Sequence, residues 1–329
     1  MTPQRRKNFE RLLNPRQIAF IGGKDASIAI NEARRRGYQG QIWAVNPKRP
    51  QLAGVGCYQT PEELPEVPDA VFLAIPAAGV IAMVKRLNRL GVGGLVCYAA
   101  GFKEIGGDGV RAEAALRQAA GEMMLIGPNC YGLINYIDNV ALWPFAHGGT
   151  AAKRGAAIVT QSGMISSDIT MNQRSVPLSY MISTGNQAVV TTADLIELLT
   201  EKAGVQAIGL HLEGVQDIAS FQQAALKALD RNIPIVALKT GSSAIGSALT
   251  ISHTGALSGT NEFYQALFER TGVIRVNTLI EMLETLKYIC LAGMPAGHRI
   301  AGFTCSGGGS TMLADYAETI GLDLQQFDR

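Results

Sequence analysis

The sequence predicts an α/β protein with parallel sheets and helices that cross between successive strands. Short apolar runs alternate with amphipathic stretches along the whole chain, as expected for strands followed by crossover helices. Glycine contributes 37 of the 329 residues and aromatic residues only 6%, a composition that suits many tight turns between strands and helices. The length corresponds to about two domains at roughly 150 residues each.

The composition excludes several classes of protein. Hydrophobic residues make up 47% and charged residues 17%, which excludes a disordered chain. The 29 basic and 27 acidic residues leave a formal net charge of +2, which gives no reason to expect a nucleic-acid partner. Five scattered cysteines without CxxC spacing, a polar N-terminus and no uncharged apolar run of about 18 residues predict a cytoplasmic protein without a membrane span.

In the first part of the chain, apolar runs predict strands and periodic apolar residues predict helices between them. The predicted strands cover residues 17–21, 41–45, 70–75, 94–98 and 123–126. The predicted helices cover residues 27–36, 77–90 and 109–120. We assign these elements to a first domain, 1–142, and the following Gly- and Pro-containing segment, 143–155, to a linker.

A second set of strands and helices follows the linker. The predicted strands cover residues 156–160, 178–182, 207–212, 233–238 and 273–276. The predicted helices cover residues 164–173, 192–203, 218–230, 262–271 and 279–291. These elements predict a second domain over residues 156–294. A Gly-rich turn and a helix over 310–320 predict that residues 298–329 begin a truncated third α/β domain, so we expect a fragment of a longer protein.

The segment richest in glycine and hydroxyl side chains runs from residue 239 to residue 259. It follows the strand that ends at Leu238 and so lies at the carboxyl edge of the predicted sheet, where open α/β sheets bind ligands. Glycines allow backbone N–H groups to approach an anion, and hydroxyls donate to it. This loop around His253 can hold a phosphate or carry a phosphoryl group on the imidazole. The alternative is a surface loop with an incidental histidine.

Two other strand ends add to this candidate site. Glu213 follows the strand over 207–212, and its carboxylate can accept Nδ1–H of His253 and leave Nε2 as the nucleophile. His211 lies two residues earlier, and we interpret it as a hydrogen-bonded strand residue. A third strand ends at Thr160 and leads into a helix whose free N–H groups and positive dipole end favour an anion. The predicted anion-binding residues in this turn are Gln161, Ser162 and Gly163.

The first domain has features that agree with a phosphorylated ribose. Gly22 and Gly23 follow the first strand, but GxGxxG is absent and no acidic residue closes the second strand. The residues that follow the second strand are Asn46, Pro47, Lys48 and Arg49. Cations at this position suit either the 3′-phosphate of CoA or the 2′-phosphate of NADP. A solvated loop with two cations is the alternative.

Several segments resemble one known family. The run Ser-His-Thr-Gly-Ala-Leu-Ser-Gly at 252–259 resembles the phosphohistidine motif of the NDP-forming acyl-CoA synthetases, relatives of the succinyl-CoA synthetase alpha subunit. The resemblance covers nearly the whole chain. Other matching segments are the opening strand at 14–22, CoA-binding turns at 45–48 and 100–102, the close of the first domain at 127–132, and the glutamate-bearing segment at 212–214.

The resemblance implies a fold and a reaction. The fold is a Rossmann-like CoA-binding domain followed by a flavodoxin-like, succinyl-CoA synthetase-like domain and the start of a third domain. The reaction is acid + CoA + ATP to acyl-CoA + ADP + phosphate, through an acyl phosphate. ATP or ADP with Mg would bind a missing ATP-grasp domain or beta subunit, and the assembly would be oligomeric. We expect no metal site within this chain.

The resemblance also implies roles for individual residues. His253 would carry the phosphoryl group and Glu213 would orient its imidazole. The implied phosphate-binding residues are Gln161, Ser162, Gly163, Ser252, Thr254 and Gly255. The implied CoA-binding residues are Gly22, Gly23, Asn46, Pro47, Lys48, Ile75, Pro76 and Gly101. The alternatives are a non-catalytic CoA-binding regulatory module and an NADP-binding oxidoreductase.

Overall fold

The structure is a computed structural model that describes residues 1–150, 152–243, 245–246 and 260–325. The predicted site residues Ser252, His253, Thr254 and Gly255 therefore lie outside the described residues. The chain divides into two compact units, Met1–Cys290 and Leu291–Arg329, which are described separately.

The first sheet of the larger unit has seven strands and is parallel except at one edge. Its strands are β1 (Gln17–Gly22), β2 (Gln41–Val45), β3 (Gln51–Leu52), β4 (Val55–Tyr58), β5 (Ala70–Ala74), β6 (Gly94–Cys97) and β7 (Met124–Ile126). Their order is β3-β4-β2-β1-β5-β6-β7, and only the β3–β4 pair is antiparallel. The accompanying helices are α1 (Pro3–Leu13), α2 (Lys24–Arg36), α3 (Ala77–Leu90) and α4 (Asp108–Ala120). All six residues of β1 are buried, as expected for a central strand covered on both faces.

The second sheet of the same unit also has seven strands. They are β8 (Gly132–Asn135), β9 (Val140–Leu142), β10 (Gly155–Thr160), β11 (Leu178–Ser183), β12 (Val205–Leu212), β13 (Ile235–Lys239) and β14 (Ile274–Val276). Their order is β14-β13-β12-β10-β11-β8-β9. The helices are α5 (Gly163–Met171), α6 (Thr192–Leu199), α7 (Ile218–Asp230), α8 (Asn261–Thr271) and α9 (Leu279–Ala292). Strands β10 to β14 are parallel, whereas β8 is antiparallel to both β11 and β9.

The smaller unit contains one β-α-β element. Strands β15 (Arg299–Ile300) and β16 (Asp323–Leu324) pair in parallel, and α10 (Gly307–Thr319) connects them. The helix begins after Ser306, whose hydroxyl accepts a hydrogen bond from the N–H of Gly309 at 3.2 Å. A serine in this position satisfies one of the N–H groups that a helix start leaves unpaired.

The sheet boundary differs from the predicted domain boundary at residue 142. Strands β8 and β9 lie inside the range 1–142, yet β8 pairs with β11 of the second sheet. The prediction of parallel sheets is therefore wrong at this edge and at the β3–β4 hairpin, because hairpin strands lack the crossover helix on which that prediction relied. The predicted linker 143–155 is also anchored, since Trp143 is fully buried and Gly155 begins β10.

Helix α1, which the apolar pattern did not predict, packs the two sheets together. Its buried residues Phe9, Leu12 and Leu13 belong to one hydrophobic core with Leu133 and Val140 of the second sheet. Burial of aromatic and leucine side chains contributes about 1.5–3 kcal/mol each, so this packing outweighs the exposed ion pairs of the same helix. One of the three hydrophobic clusters of the described residues is therefore shared by both sheets.

Asn135, at the end of β8, links α1 to the second sheet through the hydrogen bonds of its side chain. Its Nδ2 donates to the carbonyl oxygen of Leu13 at 2.9 Å and to Oδ2 of Asp138 at 2.8 Å. Its Oδ1 accepts the N–H groups of Ile137 and Asp138, both at 3.0 Å. Asn135 and Leu13 are buried, whereas Ile137 is half-buried and Asp138 is exposed, so the carbonyl oxygen of Leu13 is the partner without access to water.

We predict that Asn135→Ala lowers the free energy of unfolding by about 1–3 kcal/mol, because the buried carbonyl oxygen of Leu13 loses its partner. Urea unfolding followed by circular dichroism measures this change. Gln118→Ala, at an exposed position of α4, is the control and should change the value by less than about 0.5 kcal/mol. Equal effects of the two substitutions would contradict the assigned role of Asn135.

Candidate active site

A buried histidine lies at the centre of the carboxyl edge of the second sheet. His211 is 1% exposed and pairs in register with Thr160 of β10. Its Nδ1 lies 2.9 Å from Oγ1 of Thr160 and its Nε2 lies 3.1 Å from Oγ1 of Thr240. Burial and the nearby Lys239 lower the pKa of His211 to about 4. The imidazole is therefore neutral near pH 7 and serves as a hydrogen-bonded strand residue, as predicted.

Gln161 holds the backbone of the loop that carries Glu213. Its Oε1 accepts the N–H groups of Glu213 at 2.7 Å and Gly214 at 3.0 Å. Its Nε2 donates to the carbonyl oxygen of Gly214 at 2.7 Å. Three hydrogen bonds thus connect the end of β10 to the turn after β12. The structure brings the two predicted residues together, but these contacts make Gln161 a support for the Glu213 backbone rather than a free phosphate ligand.

The start of α5 forms the part of the site suited to an anion. Oγ of Ser162 accepts the N–H of Ile165 at 3.4 Å, which caps the helix. Gly163 is the first helical residue, and a Cβ added there would lie 2.7 Å from Cε1 of Tyr131. The hydroxyl of Tyr131 donates to Sδ of Met164 at 3.2 Å, so its ring lies directly over the helix start. The first N–H groups of a helix, together with the helix dipole, favour a phosphoryl group at this position.

A cavity of about 600 Å³ joins the carboxyl edges of the two sheets. Two predicted CoA-binding residues, Ile75 and Pro76, line it together with the predicted phosphate-binding residues Gln161, Ser162 and Gly163. The other lining residues are Asp25, Ala74, Ala77, Tyr98, Ala99, Ala100, Asn129, Cys130, Tyr131 and Met164. The cavity therefore connects an apolar wall at the start of α3 with the N-terminus of α5.

The predicted CoA-binding residues at the ends of β1 and β2 are hydrogen-bonded to each other at the same edge of the first sheet. Nδ2 of Asn46 donates to the carbonyl oxygen of Gly22 at 2.6 Å. Its Oδ1 accepts the N–H groups of Lys48 at 2.8 Å and Arg49 at 3.0 Å. A Cβ on Gly22 would lie 2.3 Å from the carbonyl oxygen of Ala74, and its φ of +149° also favours glycine. Asn46 thus orients the loop whose cations were predicted to meet a phosphorylated ribose.

Three further predicted CoA-binding residues occupy different settings. Gly23 is the N-cap residue of α2, and Asp25 lies in the first turn of this helix. Pro47 is exposed, as is Lys48. Gly101 has a φ of +105°, and its N–H donates to Oε1 of Glu104 at 2.5 Å. Gly101 therefore offers space near Ala77 rather than a free donor.

Sequence reasoning missed several cavity residues that follow strand ends. Asn129 and Tyr131 belong to the turn after β7, and Tyr98 follows β6. The rule that ligands meet carboxyl strand ends could have identified all three. Cys130 lies in the same turn, where a small packed thiol is expected rather than a nucleophile. It is 2% exposed, and burial raises the pKa of its thiol well above the ordinary value, which agrees with that interpretation.

The described part of the chain has neither a metal cluster nor a helix that could span a membrane. No group of three or more His, Cys, Asp or Glu side chains there could hold a metal ion. Among the helices described above, none is both long enough and apolar enough to cross a membrane.

The fold and the cavity define a two-domain protein of the CoA ligase class. Residues 16–136 match the model of a CoA binding domain. Residues 153–289 match the model of a succinyl-CoA ligase like flavodoxin domain. These matches cover the strands of the two sheets except β9, and they support the predicted Rossmann-like and flavodoxin-like folds.

Curated relatives extend the match over nearly the whole chain. The alpha subunit of ADP-forming acetate–CoA ligase II from Pyrococcus furiosus is 34% identical, with 96% of this chain and 70% of the relative aligned. A trans-feruloyl-CoA synthase from an unknown prokaryotic organism is 33% identical, and ADP-forming acetate–CoA ligase I from Archaeoglobus fulgidus is 32% identical. The chain spans 47% of the length of each of these last two relatives.

Solved structures agree with the fold. A crystal structure from Pyrococcus horikoshii OT3 is 28% identical and superposes with a TM-score of 0.84, covering 97% of this chain and 70% of that one. The apo form of acetyl-coenzyme A synthetase 1 from Candidatus Korarchaeum cryptofilum has a TM-score of 0.87 at 23% identity, over 97% of this chain and 70% of that one. The chain belongs to the ADP-forming acetyl-CoA synthetase family and corresponds to its alpha-subunit-like, CoA-binding portion.

The buried imidazole of His211 predicts a pH dependence of stability. Its pKa of about 4 lies below the ordinary 6.5, so the unfolded chain binds the proton more tightly. Stability should fall as the pH is lowered from about 6.5 to about 4, by roughly 3 kcal/mol from this group. Burial also lowers the pKa of His147 to about 4, so that side chain contributes in the same direction.

Urea unfolding at several pH values tests this prediction. His211→Gln should unfold with a smaller loss of stability between pH 6.5 and 4 than the parent protein, because one of the two buried imidazoles is removed. His298→Gln, which replaces an exposed histidine, is the control substitution. An identical slope for His211→Gln and the parent protein would show that His211 is not neutral in the folded state.

Proposed function

We propose that the chain is the CoA-binding and phosphohistidine portion of an acid–CoA ligase that forms ADP. The observation that carries the proposal is the single cavity shared by Ile75 and Pro76 on one side and Ser162 and Gly163 on the other. An apolar wall suits the pantetheine arm of CoA, and a helix N-terminus suits a phosphoryl group. A thiol and a phosphoryl group held in one cavity are what acyl transfer between CoA and an acyl phosphate requires.

The proposed route has three reversible steps. A phosphoryl group passes from ATP to His253, and a carboxylate oxygen of the acid then takes it to form an acyl phosphate. The CoA sulfur attacks the acyl carbon, the C–S bond forms, and the C–O bond to phosphate breaks. The thiol loses its proton and phosphate leaves. A nitrogen nucleophile suits this sequence because a phosphoramidate retains a high transfer potential in both directions.

The described residues have separate roles in this proposal. The start of α5, capped by Ser162, stabilises the charge on the phosphoryl oxygens with N–H groups that already point to them. Gln161 fixes the backbone of Glu213, whose carboxylate orients the imidazole of His253 and leaves Nε2 free for phosphoryl transfer. The predicted neighbours Ser252, Thr254 and Gly255 would add donors to the same phosphoryl group.

CoA would extend from the cavity to the turn held by Asn46. The pantetheine arm would pass Ile75, Pro76 and the space beside Gly101. The turn with Gly22, Gly23, Pro47 and Lys48 would meet the phosphorylated end of the molecule, where Lys48 supplies a cation. Asn46 supports this assignment because it is hydrogen-bonded to both Gly22 and Lys48 and so keeps the ends of β1 and β2 together.

ATP or ADP with Mg belongs, in this proposal, to an ATP-grasp portion outside this sequence, either a domain or a beta subunit. The relatives named as alpha subunits support a separate partner, and a structure of the Korarchaeum relative in complex with phosphate and ADP supports nucleotide binding in the assembly. The partner, the oligomer and a cytoplasmic location, where CoA and ATP are available, are parts of the same proposal.

The half-reaction with acyl-CoA and radiolabelled phosphate tests the chain without its partner. Acyl-CoA and phosphate should give an acyl phosphate, which then phosphorylates His253 and releases the acid. We expect acid-labile label on the parent protein and none on His253→Ala, whereas His298→Ala should be labelled normally. Acetyl-CoA and feruloyl-CoA, supplied separately, would distinguish a short aliphatic from an aromatic acid. CoA binding without label would refute the relay and leave a CoA-binding module.

The contact between Gly163 and Tyr131 gives a second test. Gly163→Ala should displace the ring of Tyr131, since the new Cβ would lie 2.7 Å from it, and so disturb the helix start. We expect the initial rate of phosphohistidine formation to fall by at least about tenfold, as for loss of an oxyanion-type donor. Gly297→Ala, where a Cβ would meet nothing within 4 Å, is the control. Normal labelling of Gly163→Ala would exclude α5 as the phosphoryl cradle.

A further inference from the structure

Asn186, in the loop between β11 and α6, connects two acidic side chains of the first domain. Its Nδ2 donates to Oε2 of Glu104 at 2.5 Å and to Oε2 of Glu113 at 2.8 Å. Its Oδ1 accepts a hydrogen bond from Nδ2 of Asn129, a residue that lines the cavity, at 3.4 Å. The side-chain amide of Asn186 thus forms hydrogen bonds with three residues, through both its nitrogen and its oxygen.

The backbone of Asn186 is held as firmly as its side chain. Its N–H donates to the carbonyl oxygen of Pro128 at 2.9 Å, and its carbonyl oxygen accepts from Nε2 of Gln216 at 3.1 Å. The preceding Gly185 has a φ of +55°, and a Cβ there would lie 2.2 Å from the oxygen of Pro128 and 2.3 Å from that of Asn129. This close approach fixes the direction in which the Asn186 side chain projects.

The first carboxylate contacted by Asn186 holds the predicted CoA-binding turn at Gly101. Oε1 of Glu104 accepts the N–H of Gly101 at 2.5 Å, and both of its oxygens lie 3.2 Å from the N of Phe102. Burial raises the pKa of Glu104, but hydrogen bonds from Asn186 and the Gly101 backbone outweigh it and hold the pKa below the ordinary value. The charged form of Glu104 is therefore the one that fits this turn.

The second carboxylate contacted by Asn186 is that of Glu113, and it gives a further reason for a side-chain amide at position 186. Glu113 is 4% exposed, and its Oε2 also accepts the N–H of Lys103 at 3.3 Å. Burial raises the pKa of Glu113, while the hydrogen bond from Asn186 opposes that effect. Two acidic side chains on one side of the loop need a donor with two hydrogens, which a side-chain amide supplies and a carboxylate lacks.

The same loop reaches the part of the site that carries Glu213. Gln216, which donates to the Asn186 backbone, lies three residues after Glu213, in the loop that Gln161 fixes. A continuous set of hydrogen bonds and short backbone segments therefore runs from Gly101 through Glu104 and Asn186 to the Glu213 loop. Its two ends are the predicted CoA-binding turn and the predicted phosphohistidine contact.

We propose that Asn186 is a positioning residue. It holds the Gly101 turn in the conformation that binds CoA and fixes the position of this turn relative to the Glu213 loop. The role of Asn186 at the Gly101 turn requires only that the chain binds CoA. Its role in placing that turn relative to the Glu213 loop rests on the proposed function. Loss of the amide leaves Glu104 with only its backbone donors, so the turn beside the cavity loses one of its supports.

Isothermal titration of CoA into the full chain and its variants tests the first half. Asn186→Ala should weaken CoA binding by about tenfold, the change expected for loss of a hydrogen bond to a charged group. Asn186→Asp should weaken it further, because a third carboxylate faces Glu104 and Glu113. Far-UV circular dichroism and urea unfolding monitor the fold of each variant.

Arg117→Ala is the matched control for a purely structural role. Nε of Arg117, on α4 like Glu113, donates to the carbonyl oxygen of Ala188 in the loop that carries Asn186, at 2.7 Å. This variant should lose stability comparably to Asn186→Ala yet bind CoA as the parent protein does. Equal weakening of CoA binding by both variants, or unchanged binding by Asn186→Ala, would overturn the inference.

The labelling assay separates this inference from the proposed function. With acyl-CoA varied, Asn186→Ala should show an apparent KM about tenfold higher and near-normal labelling at saturation. If the parent protein binds CoA but takes no label, the relay fails, while weaker CoA binding by Asn186→Ala alone still supports the positioning role. A variant whose saturated labelling falls at an unchanged KM would place Asn186 outside the CoA-binding turn and contradict the inference.

Discussion

The turn after β7 is the constraint on which the rest of the structure depends, because it carries the chain from one sheet into the other. It runs from the end of β7 to Gly132 at the start of β8, which pairs with β11 of the second sheet. The N–H of Asn129 donates to the oxygen of Ala99 in the first domain at 2.9 Å. The N–H of Tyr131 donates to Oγ of Ser183 in the second at 3.1 Å. A turn bound on both sides cannot shift relative to either sheet, so the two carboxyl edges face one cavity.

The cavity between these edges relies on backbone dipoles and neutral side chains more than on cations. None of its described lining residues is a lysine or an arginine, and Asp25 contributes a negative charge. Lys239 ends β13 nearby, but it is 6% exposed, and burial together with Arg275 lowers its pKa. His211 is neutral between two threonine hydroxyls. In the proposed reaction, fixed N–H groups would bind the transferring phosphoryl charge without holding it as strongly as a permanent cation would.

Much of the fold and part of the candidate site could be predicted because strand ends have sequence signals. The apolar runs located every long parallel strand, and polar residues directly after those runs identified Gln161, Ser162 and Glu213. Strands β3, β4, β8 and β9 were missed, although β7 and β14 are equally short and were predicted; β3–β4 and β8–β9 are hairpins without a crossover helix between their strands. Helix α1 was missed because charged residues interrupt its apolar face, which only the neighbouring sheets make a buried one. Asn186 was missed for another reason, since its partners Glu104 and Glu113 lie over 70 residues away in the chain.

The α/β class, the long strands and the residue types at their carboxyl ends could be read from local patterns, because apolar periodicity and turn composition are local properties. The motif around His253 likewise indicated the family before any contact was known. The folded chain was needed to show which strand ends share a cavity, that Gln161 supports Glu213, and that Tyr131 covers the start of α5. These outcomes depend on the antiparallel pairing of β8 with β11 and on packing between distant segments, which local sequence patterns do not encode.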